Sequence, residues 1–207
     1  GHGGSMFADL VDESGKIQLF FSRDILGEKK YGLLKLLDLG DFIGIEGEVF
    51  QTQAGEITVK VADFSVLTKS ILPLPEKWHG LVDIETRLRK RYLDLMMNSE
   101  VRQMFVKKSK FWLAVRNYLA EKGFLEVETP VCEAIPGGAD SQTFVTHHQT
   151  LDTDFYLRIS LELHLKRLIV GGYEKVFESG RIFRNEGIDA EHLQDYTQME
   201  FYWACAN

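Results

Sequence analysis

Cysteine is scarce in this sequence, whose 207 residues include only Cys132 and Cys205. Two thiols so far apart form neither a disulfide framework nor a zinc site. Both lie among apolar residues, so the sequence predicts buried, free thiols in a reducing compartment. Long apolar runs are also absent, since none reaches the roughly 20 residues of a membrane-spanning helix, and no secretory signal pattern is recognisable. These absences predict a soluble, cytoplasmic protein without membrane contact.

An excess of basic residues is likewise missing. There are 24 Lys and Arg against 31 Asp and Glu, a net charge of −7 with histidine neutral. This balance argues against a broad basic surface for non-specific nucleic-acid binding. It is compatible with a protein that contacts RNA at a few positions. Hydrophobic residues make up 44% of the chain, enough for one sizeable core or for a small domain beside a larger one.

Residues 1–72 have the pattern of a small β domain. Ile43, Ile45 and Val49 alternate with polar or small residues, which is the period of a strand with one face toward a core. The order of the elements predicts a small closed barrel. Gly1–Ser5 is interpreted as a native turn before the first strand, the alternative being a cloning remnant. The predicted strands are Met6–Val11, Ile17–Phe21, Phe42–Phe50 and Ile57–Leu67, with a helix over Gly27–Leu39 before the last pair.

Pro73-Leu-Pro75 predicts a domain boundary, because proline disfavours continued regular structure. Residues 73–98 then form a linker with a charged helix, about Ile84–Met97. The cations of this helix have two interpretations, a solvated face or a contact with RNA or a second subunit. They are Arg87, Arg89, Lys90 and Arg91.

Residues 99–207 alternate helices and strands and predict a second domain of mixed α+β structure. Asn98 or Ser99 caps a long helix with Glu100 in its first turn, and Gly123 ends it. The other predicted elements are the strands Phe124–Glu128 and Tyr156–Ile159, the helix Leu161–Val170, the strand Lys175–Phe183, the polar loop Arg184–Asp195 and the strand Tyr196–Ala206.

The polar loop carries the residues best suited to bind a nucleotide. Arg184, at a strand end, can hold phosphate oxygens in a bidentate fork and stabilise charge that develops at an α-phosphate. Glu186 can accept a hydrogen bond from a purine amino group, and Tyr196 offers a face on which a base can stack. Glu200 supplies a carboxylate for an ammonium group. The alternative is an exposed hairpin with a salt-bridged Arg–Glu pair.

Two segments resemble the first two motifs of the class II aminoacyl-tRNA synthetases. Lys122–Pro130, a helix end followed by a strand and a proline, matches motif 1, and Phe183–Glu186 with the returning strand matches motif 2. Gly15–Leu19 and Leu39–Asp41 resemble the OB-fold anticodon-binding domain of the bacterial lysyl-tRNA synthetases. Further segments that resemble this family are Leu72–Lys77, His79–Leu81, Arg91–Leu95, Ile135–Ala139, Thr146–His148, Tyr156–Ile159, Leu163–Leu168, Gly171-Gly172 and Arg184–Ile188.

The resemblance implies an α+β fold in which an incomplete N-terminal OB-fold β-barrel, lacking its first strand, precedes part of an antiparallel class II catalytic domain. It implies ATP-dependent activation of lysine to lysyl-adenylate and transfer to tRNA-Lys, by a homodimer that pairs through its motif 1 region. Mg²⁺ is implied beside ATP, with its ligands and motif 3 beyond residue 207. The chain alone is therefore expected to be an incomplete, inactive segment. No metal ligands are expected within it, because His147 and His148 are neighbours on a strand and point to opposite faces.

Residue roles follow from the matching motif positions. Arg184 is implied to be catalytic, contacting the ATP α-phosphate and the lysine carboxylate, and Glu186 to be catalytic within the ATP site, which His192 and Tyr196 complete. Phe7 also has a second interpretation, as a core phenylalanine. The implied lysine-binding residues are Gly138, Glu162, Arg184, Glu200 and Tyr202, and the implied anticodon-binding residues are Phe7, Gln18 and Glu56.

The sequence departs from the family pattern at three places. Ser160-Leu161-Glu162 stands where Ala-Pro-Glu is usual, Leu193-Gln194-Asp195-Tyr196 where Asn-Pro-Glu-Phe is usual, and Gln198 where methionine is usual. Three alternatives to a lysine enzyme stay open. They are a related OB-bearing synthetase for aspartate or asparagine, a paralogue that lysylates a translation factor, and a non-catalytic fragment for tRNA binding or dimerisation.

Overall fold

The computed structural model describes residues 4–72, 74, 81–187, 189 and 191–206. The chain divides into two compact units, Gly1–Arg102 and Gln103–Asn207. The predicted boundary prolines Pro73 and Pro75 lie outside the described residues, as does Gly1–Gly3 of the predicted N-terminal turn. The domain limits at residues 72 and 98 therefore stay predictions. No described helix has the length and apolar character needed to cross a membrane.

The first unit contains all four predicted strands. They are β1 (Ser5–Val11), β2 (Lys16–Ser22), β3 (Phe42–Gln51) and β4 (Ile57–Thr68). The sheet has the order β1-β2-β4-β3, in which β2 and β4 run parallel and the other pairs antiparallel. Among the described residues this sheet is open, with β1 and β3 at its two edges. An open sheet is what the expected incomplete OB-fold barrel, lacking its first strand, would form.

Alternation along these strands buries one face of the sheet. Leu19 and Phe21 of β2 pack with Val61 and Phe64 of β4, and Leu34 joins them from the connecting segment. That segment is α1 (Arg23–Leu33) followed by a 3₁₀ turn over Leu34–Leu36. Gly27 (φ 74°) is non-helical and separates a short helical stretch that the sequence did not predict from the helix that follows it, near the predicted start.

The predicted charged helix is two short helices, α2 (Ile84–Arg89) and α3 (Arg91–Met97). The break at Lys90 lets Arg87 and Arg91 turn toward the fully buried Asp94, which also accepts a hydrogen bond from Asn98 at 2.6 Å. Burial raises the pKa of Asp94, but the hydrogen bonds from Asn98 and Arg87 outweigh it and hold the pKa below its ordinary value. Two of the four predicted cations, Arg87 and Arg91, thus pair with a buried carboxylate, a role that neither of the two interpretations included.

Among its described residues, the second unit contains most of one long helix, one short helix and two three-stranded sheets. The strands Lys175–Phe183 and Asp195–Trp203 form its central antiparallel hairpin, with Tyr196 opposite Ile182 and Glu200 opposite Glu178. The elements in chain order are α4 (Ser99–Glu121), β5 (Leu125–Glu126), β6 (Cys132–Glu133), β7 (Val145–His148), β8 (Thr153–Leu157), α5 (Glu162–Val170), β9 (Lys175–Phe183) and β10 (Asp195–Trp203). The sheets have the orders β10-β9-β5 and β6-β8-β7.

The core of this unit lies between α5 and the hairpin, where Leu161, Leu165, Val176 and Ile182 are completely buried. The prediction of buried thiols is wrong, since Cys132 and Cys205 are both exposed. On the two-residue strand β6 it is the neighbouring Glu133 that turns inward, and successive strand residues must face opposite sides.

Candidate active site and nucleic-acid interface

The loop between β9 and β10 forms a pocket of about 290 Å³. Arg184, Glu186, His192 and Tyr196, the four residues predicted to bind ATP, all line it. The guanidinium carbon of Arg184 lies 5.8 Å from the centre of the Tyr196 ring. The sequence therefore identified a set of side chains that the fold brings to one place.

The backbone of Arg184 is anchored by the loop, but its side-chain Nε has no partner among the described residues. Its backbone N–H donates to the Gln194 carbonyl at 2.8 Å, which closes the base of the loop. Its Nε is buried and, among the described residues, has no hydrogen-bond acceptor. A buried donor without a partner is costly. An anionic group bound in the pocket would supply the acceptor that the Arg184 Nε lacks.

Glu186 and His192 of the pocket have protein partners. Ser141 Oγ donates to Glu186 Oε1 at 2.6 Å. No ion pair joins Arg184 to Glu186 in the described part of the chain, so the salt bridge of the exposed-hairpin alternative is not observed there. His192 contacts Asp189 through Nδ1, at 2.7 Å, and through its backbone N–H, at 2.8 Å. The backbone N–H of Glu191 and the His192 side chain lower the pKa of Asp189, so an ionised carboxylate orients His192 at neutral pH.

A second group of predicted residues gathers around Glu200. The Tyr202 hydroxyl lies 3.5 Å from Glu200 Oε2, and Ser160 Oγ lies 3.3 Å from Glu200 Oε1. Ser160 Oγ in turn accepts the backbone N–H of Glu162 at 3.1 Å. We call Ser160, Glu162, Glu200 and Tyr202 the carboxylate cluster. Arg184, which was also predicted to bind lysine, forms no hydrogen bond or ion pair with the cluster in the described part of the chain.

One ammonium group already lies at this cluster. Lys166 Nζ is 2.5 Å from Glu162 Oε1 and 5.8 Å from the centre of the Tyr202 ring. The hydrogen bond to Glu162 raises the pKa of Lys166. Burial, and then the nearby charges of Glu200 and Glu162, raise the pKa of Tyr202, which keeps its hydroxyl protonated. The cluster can thus bind a cation.

Gly138 lies against the cluster in a conformation that favours glycine. Its φ is 87°, and a Cβ at this position would lie 3.0 Å from Ser160 Cβ and Oγ and 3.3 Å from Glu162 Cβ. The close approach explains why the backbone of Gly138 can border the predicted lysine site.

The sheet of the first unit exposes an aromatic face. Phe7 is 55% exposed, which excludes its alternative role as a core residue. Its ring centre lies 5.1 Å from that of Phe20, which lies 6.2 Å from that of Phe50. Gln18 accepts a hydrogen bond from Thr58 Oγ at 2.9 Å. The exposed Glu56 lies in the turn before β4, where its backbone N–H donates to Thr52 Oγ at 3.0 Å.

Several residues that shape these sites were not predicted. Ser141 and Asp189 orient Glu186 and His192, and Gln198 donates to Glu200. The only signal in the sequence was the departure from the family pattern at Ser160 and Gln198, because hydrogen bonds between distant side chains leave no periodic trace. Within the described residues, no group of three His, Cys, Asp or Glu side chains could hold a metal ion.

Comparisons with known proteins identify two matching families. The profile of tRNA synthetases class II (D, K and N) matches residues 83–207, and the profile of the OB-fold nucleic acid binding domain matches residues 1–67. Relatives named lysine–tRNA ligase are 57% identical in Syntrophomonas wolfei, 55% in Thermoanaerobacter sp. (strain X514) and 53% in Moorella thermoacetica. The matches cover 98%, 98% and 100% of this chain.

The chain spans about two fifths of the length of these relatives, 41% in the first two and 42% in the third. The match of the class II profile covers more than half of the chain and includes the arginine pocket and the carboxylate cluster. The chain therefore belongs to the class II tRNA synthetases of the family that comprises the D, K and N enzymes, with an OB-fold domain at its N-terminal side.

Proposed function

We propose that this chain is part of a lysine–tRNA ligase, which activates lysine with ATP and transfers it to tRNA-Lys. The observation that carries the proposal is the shared face of β10. Tyr196 of this face lines the arginine pocket, and Glu200 and Tyr202 belong to the carboxylate cluster. A nucleotide in the pocket and an amino acid at the cluster would therefore bind along one strand.

The arginine pocket suits reaction at the α-phosphate of ATP. The lysine carboxylate attacks the α-phosphorus, the bond to the β-phosphate oxygen breaks, and pyrophosphate leaves. Arg184 would neutralise the charge that builds on the α-phosphate oxygens, and Tyr196 would stack on adenine. No protein nucleophile is required, so the contribution of the chain is positioning and charge stabilisation.

The charge of the carboxylate cluster favours lysine over aspartate or asparagine. Lys166 is paired with Glu162, so their charges cancel. The carboxylate of Glu200 then gives the cluster, together with Lys166, one net negative charge. An aspartate side chain would be repelled there, whereas an ammonium group would find Glu200 and the Tyr202 hydroxyl. The printed name of the relatives, lysine–tRNA ligase, agrees with this preference.

The aromatic face of the first unit would bind the anticodon. Exposed rings such as Phe7 stack on splayed bases, and side chains such as Gln18 read base edges. Glu56 would add a second polar contact at the same end of the sheet. This assignment fits the OB-fold nucleic-acid-binding profile of residues 1–67.

The remaining parts of the proposal concern assembly and cofactors. A homodimer that pairs through the motif 1 region would also bury apolar side chains of the preceding helix α4, where Phe111 and Tyr118 are each 60% exposed. Cytoplasmic location fits the two unpaired, exposed thiols. The described residues offer no ligand set for Mg²⁺, so no step of the reaction is assigned to a metal held by them.

Ligand binding to the 207-residue chain tests the proposal. In titrations followed by nuclear magnetic resonance, L-lysine should shift signals of Glu200 and Tyr202, and ATP those of Arg184 and Tyr196. Lysine-dependent ATP–pyrophosphate exchange by the chain alone should be very weak. Binding of aspartate in place of lysine would contradict the proposal. Binding of tRNA without lysine or ATP would instead support the second candidate, a non-catalytic RNA-binding role, which the exposed aromatic face favours.

A further inference from the structure

One oxygen of Glu200 is fully engaged within the protein. Oε1 accepts hydrogen bonds from Ser160 Oγ at 3.3 Å, from the backbone N–H of Leu161 at 3.4 Å and from Gln198 Nε2. Among the described residues, Oε2 has only the Tyr202 hydroxyl, at 3.5 Å. A carboxylate has about four acceptor positions, so Oε1 is saturated while Oε2 can still accept from a ligand.

All three donors come from positions at which the sequence departs from the family pattern. Alanine and methionine, usual at positions 160 and 198, have no side-chain donor, and proline, usual at position 161, has no backbone N–H. The chain therefore places three donors on one oxygen where that pattern would place none. Two of them are rigidly held, because Ser160 and Leu161 are 5% and 0% exposed.

We propose that Ser160, Leu161 and Gln198 are positioning residues that fix the Glu200 carboxylate and thereby the place at which a substrate ammonium binds. This inference rests on the proposed lysine site. With Oε1 held from three sides, the carboxylate cannot rotate to follow a ligand, and Oε2 and the Tyr202 hydroxyl present their acceptors at one fixed position. A preorganised acceptor binds the matching ammonium more tightly and rejects one displaced by a methylene group.

Ser160 extends this arrangement to the second carboxylate. Because its Oγ accepts the backbone N–H of Glu162 at 3.1 Å, its own proton is directed toward Glu200. A Cβ on Gly138 would lie 3.0 Å from the same hydroxyl, which leaves the Ser160 side chain little freedom. The hydroxyl therefore connects the position of Glu200 to the first turn of α5.

The positioning can be tested without any ligand, in the isotopically labelled 207-residue chain. The Gln198 side-chain amide, assigned by its loss in Gln198→Met, should exchange slowly with water and shift in both Glu200→Gln and Ser160→Ala. The proposal would be overturned if the Gln198 side-chain amide exchanged as fast as those of exposed glutamines and its signals did not shift in either variant.

The consequence for recognition is tested with L-lysine and with ornithine, which is one methylene shorter. The double variant Ser160→Ala/Gln198→Met should bind lysine about tenfold more weakly, roughly the worth of one charged hydrogen bond, and its preference for lysine over ornithine should fall. Gln103→Met, the same exchange on an exposed part of α4, should change neither. Unchanged affinity and preference in the double variant would contradict the inference. If the parent chain binds no lysine, the proposed function fails, while the amide signals still decide whether Glu200 is positioned.

Discussion

Arg158 and Arg184 lie on neighbouring segments, because the Phe183 N–H donates to the Arg158 carbonyl at 2.9 Å. Their side chains nevertheless differ in their hydrogen-bond partners. Arg158 is 3% exposed and donates to Glu178 Oε1 at 2.6 Å, to the Arg181 carbonyl at 2.8 Å and to the Thr129 carbonyl at 3.0 Å. Arg184 is half-buried in its pocket and keeps a buried Nε without an acceptor among the described residues.

The difference separates a structural arginine from one that is available to a ligand. Arg158 joins the end of motif 1 at Thr129 to β9, and its partner Glu178 is also held by Thr129 Oγ at 2.6 Å. It thereby supports the strand from which Arg184 emerges. Nε and Nη1 of Arg158 have protein acceptors, whereas Nε of Arg184 has none among the described residues. We expect substitutions of the two to differ most in their effect on the free energy of unfolding.

The largest effect should come from Arg158→Met. The substitution leaves Glu178 buried without its charge partner, and losing one member of a buried pair costs about 3–5 kcal/mol. Urea denaturation followed by tryptophan fluorescence would measure the loss. The double variant Arg158→Met/Glu178→Met removes both charges and should recover most of the stability. A single variant as stable as the parent chain would show that the pair does not support the strand.

Gly180→Ala should have an intermediate effect, because Gly180 lies directly beneath the arginine. A Cβ there would be 2.2 Å from Arg158 Nη2 and 2.9 Å from Glu178 Oε1, and the hydrogen bonds of Arg158 prevent it from moving away freely. We expect a loss of about 1–3 kcal/mol in the free energy of unfolding. Gly187→Ala, where a Cβ meets nothing within 4 Å, is the matched control.

The same denaturation measurement in the Arg158→Met background would sharpen this result. Without the guanidinium, the added methyl group of Gly180→Ala should cost much less, because neighbouring substitutions are not additive. An equal loss in both backgrounds would place the strain in the backbone of β9 and not in the arginine contact.

The long elements of this fold could be predicted from the sequence because their patterns are regular. The alternation around Ile43 and Ile45 identified β3, and the capping residues together with Gly123 identified the limits of α4. Shorter features were missed for physical reasons. The two residues of β6 are too few to show alternation, so Cys132 was wrongly predicted to be buried. The kink at Gly27 depends on one positive φ that composition does not reveal.

The residues of the candidate site also differ in how well the sequence could predict that they meet. Arg184, Glu186, His192 and Tyr196 are close in sequence, so a single loop could be predicted to gather them. Gly138, Glu162 and Glu200 are distant in sequence, and only the family resemblance suggested that they meet. The hydrogen bonds of Arg158 depend on strand register and side-chain rotamers, which local sequence does not determine.

Arg184→Met should have the smallest effect on stability and a large effect on nucleotide binding. Removing a buried donor without an acceptor takes away a cost and not a favourable contact, so the free energy of unfolding should stay within about 0.5 kcal/mol of the parent or rise. Affinity for ATP should fall by about tenfold or more, since charged hydrogen bonds to phosphate are each worth about 1.5–3 kcal/mol.

Calorimetric titration with ATP, beside urea denaturation, measures both effects of Arg184→Met. Arg184→Lys should recover only part of the affinity, because an ammonium cannot form the bidentate fork. Arg181→Met is the matched control, since Arg181 pairs with Asp195 at 3.1 Å on the surface, with both side chains 57% exposed. If Arg184→Met destabilised the chain as much as Arg158→Met does, Arg184 would be a second structural arginine and the contrast between the two would disappear.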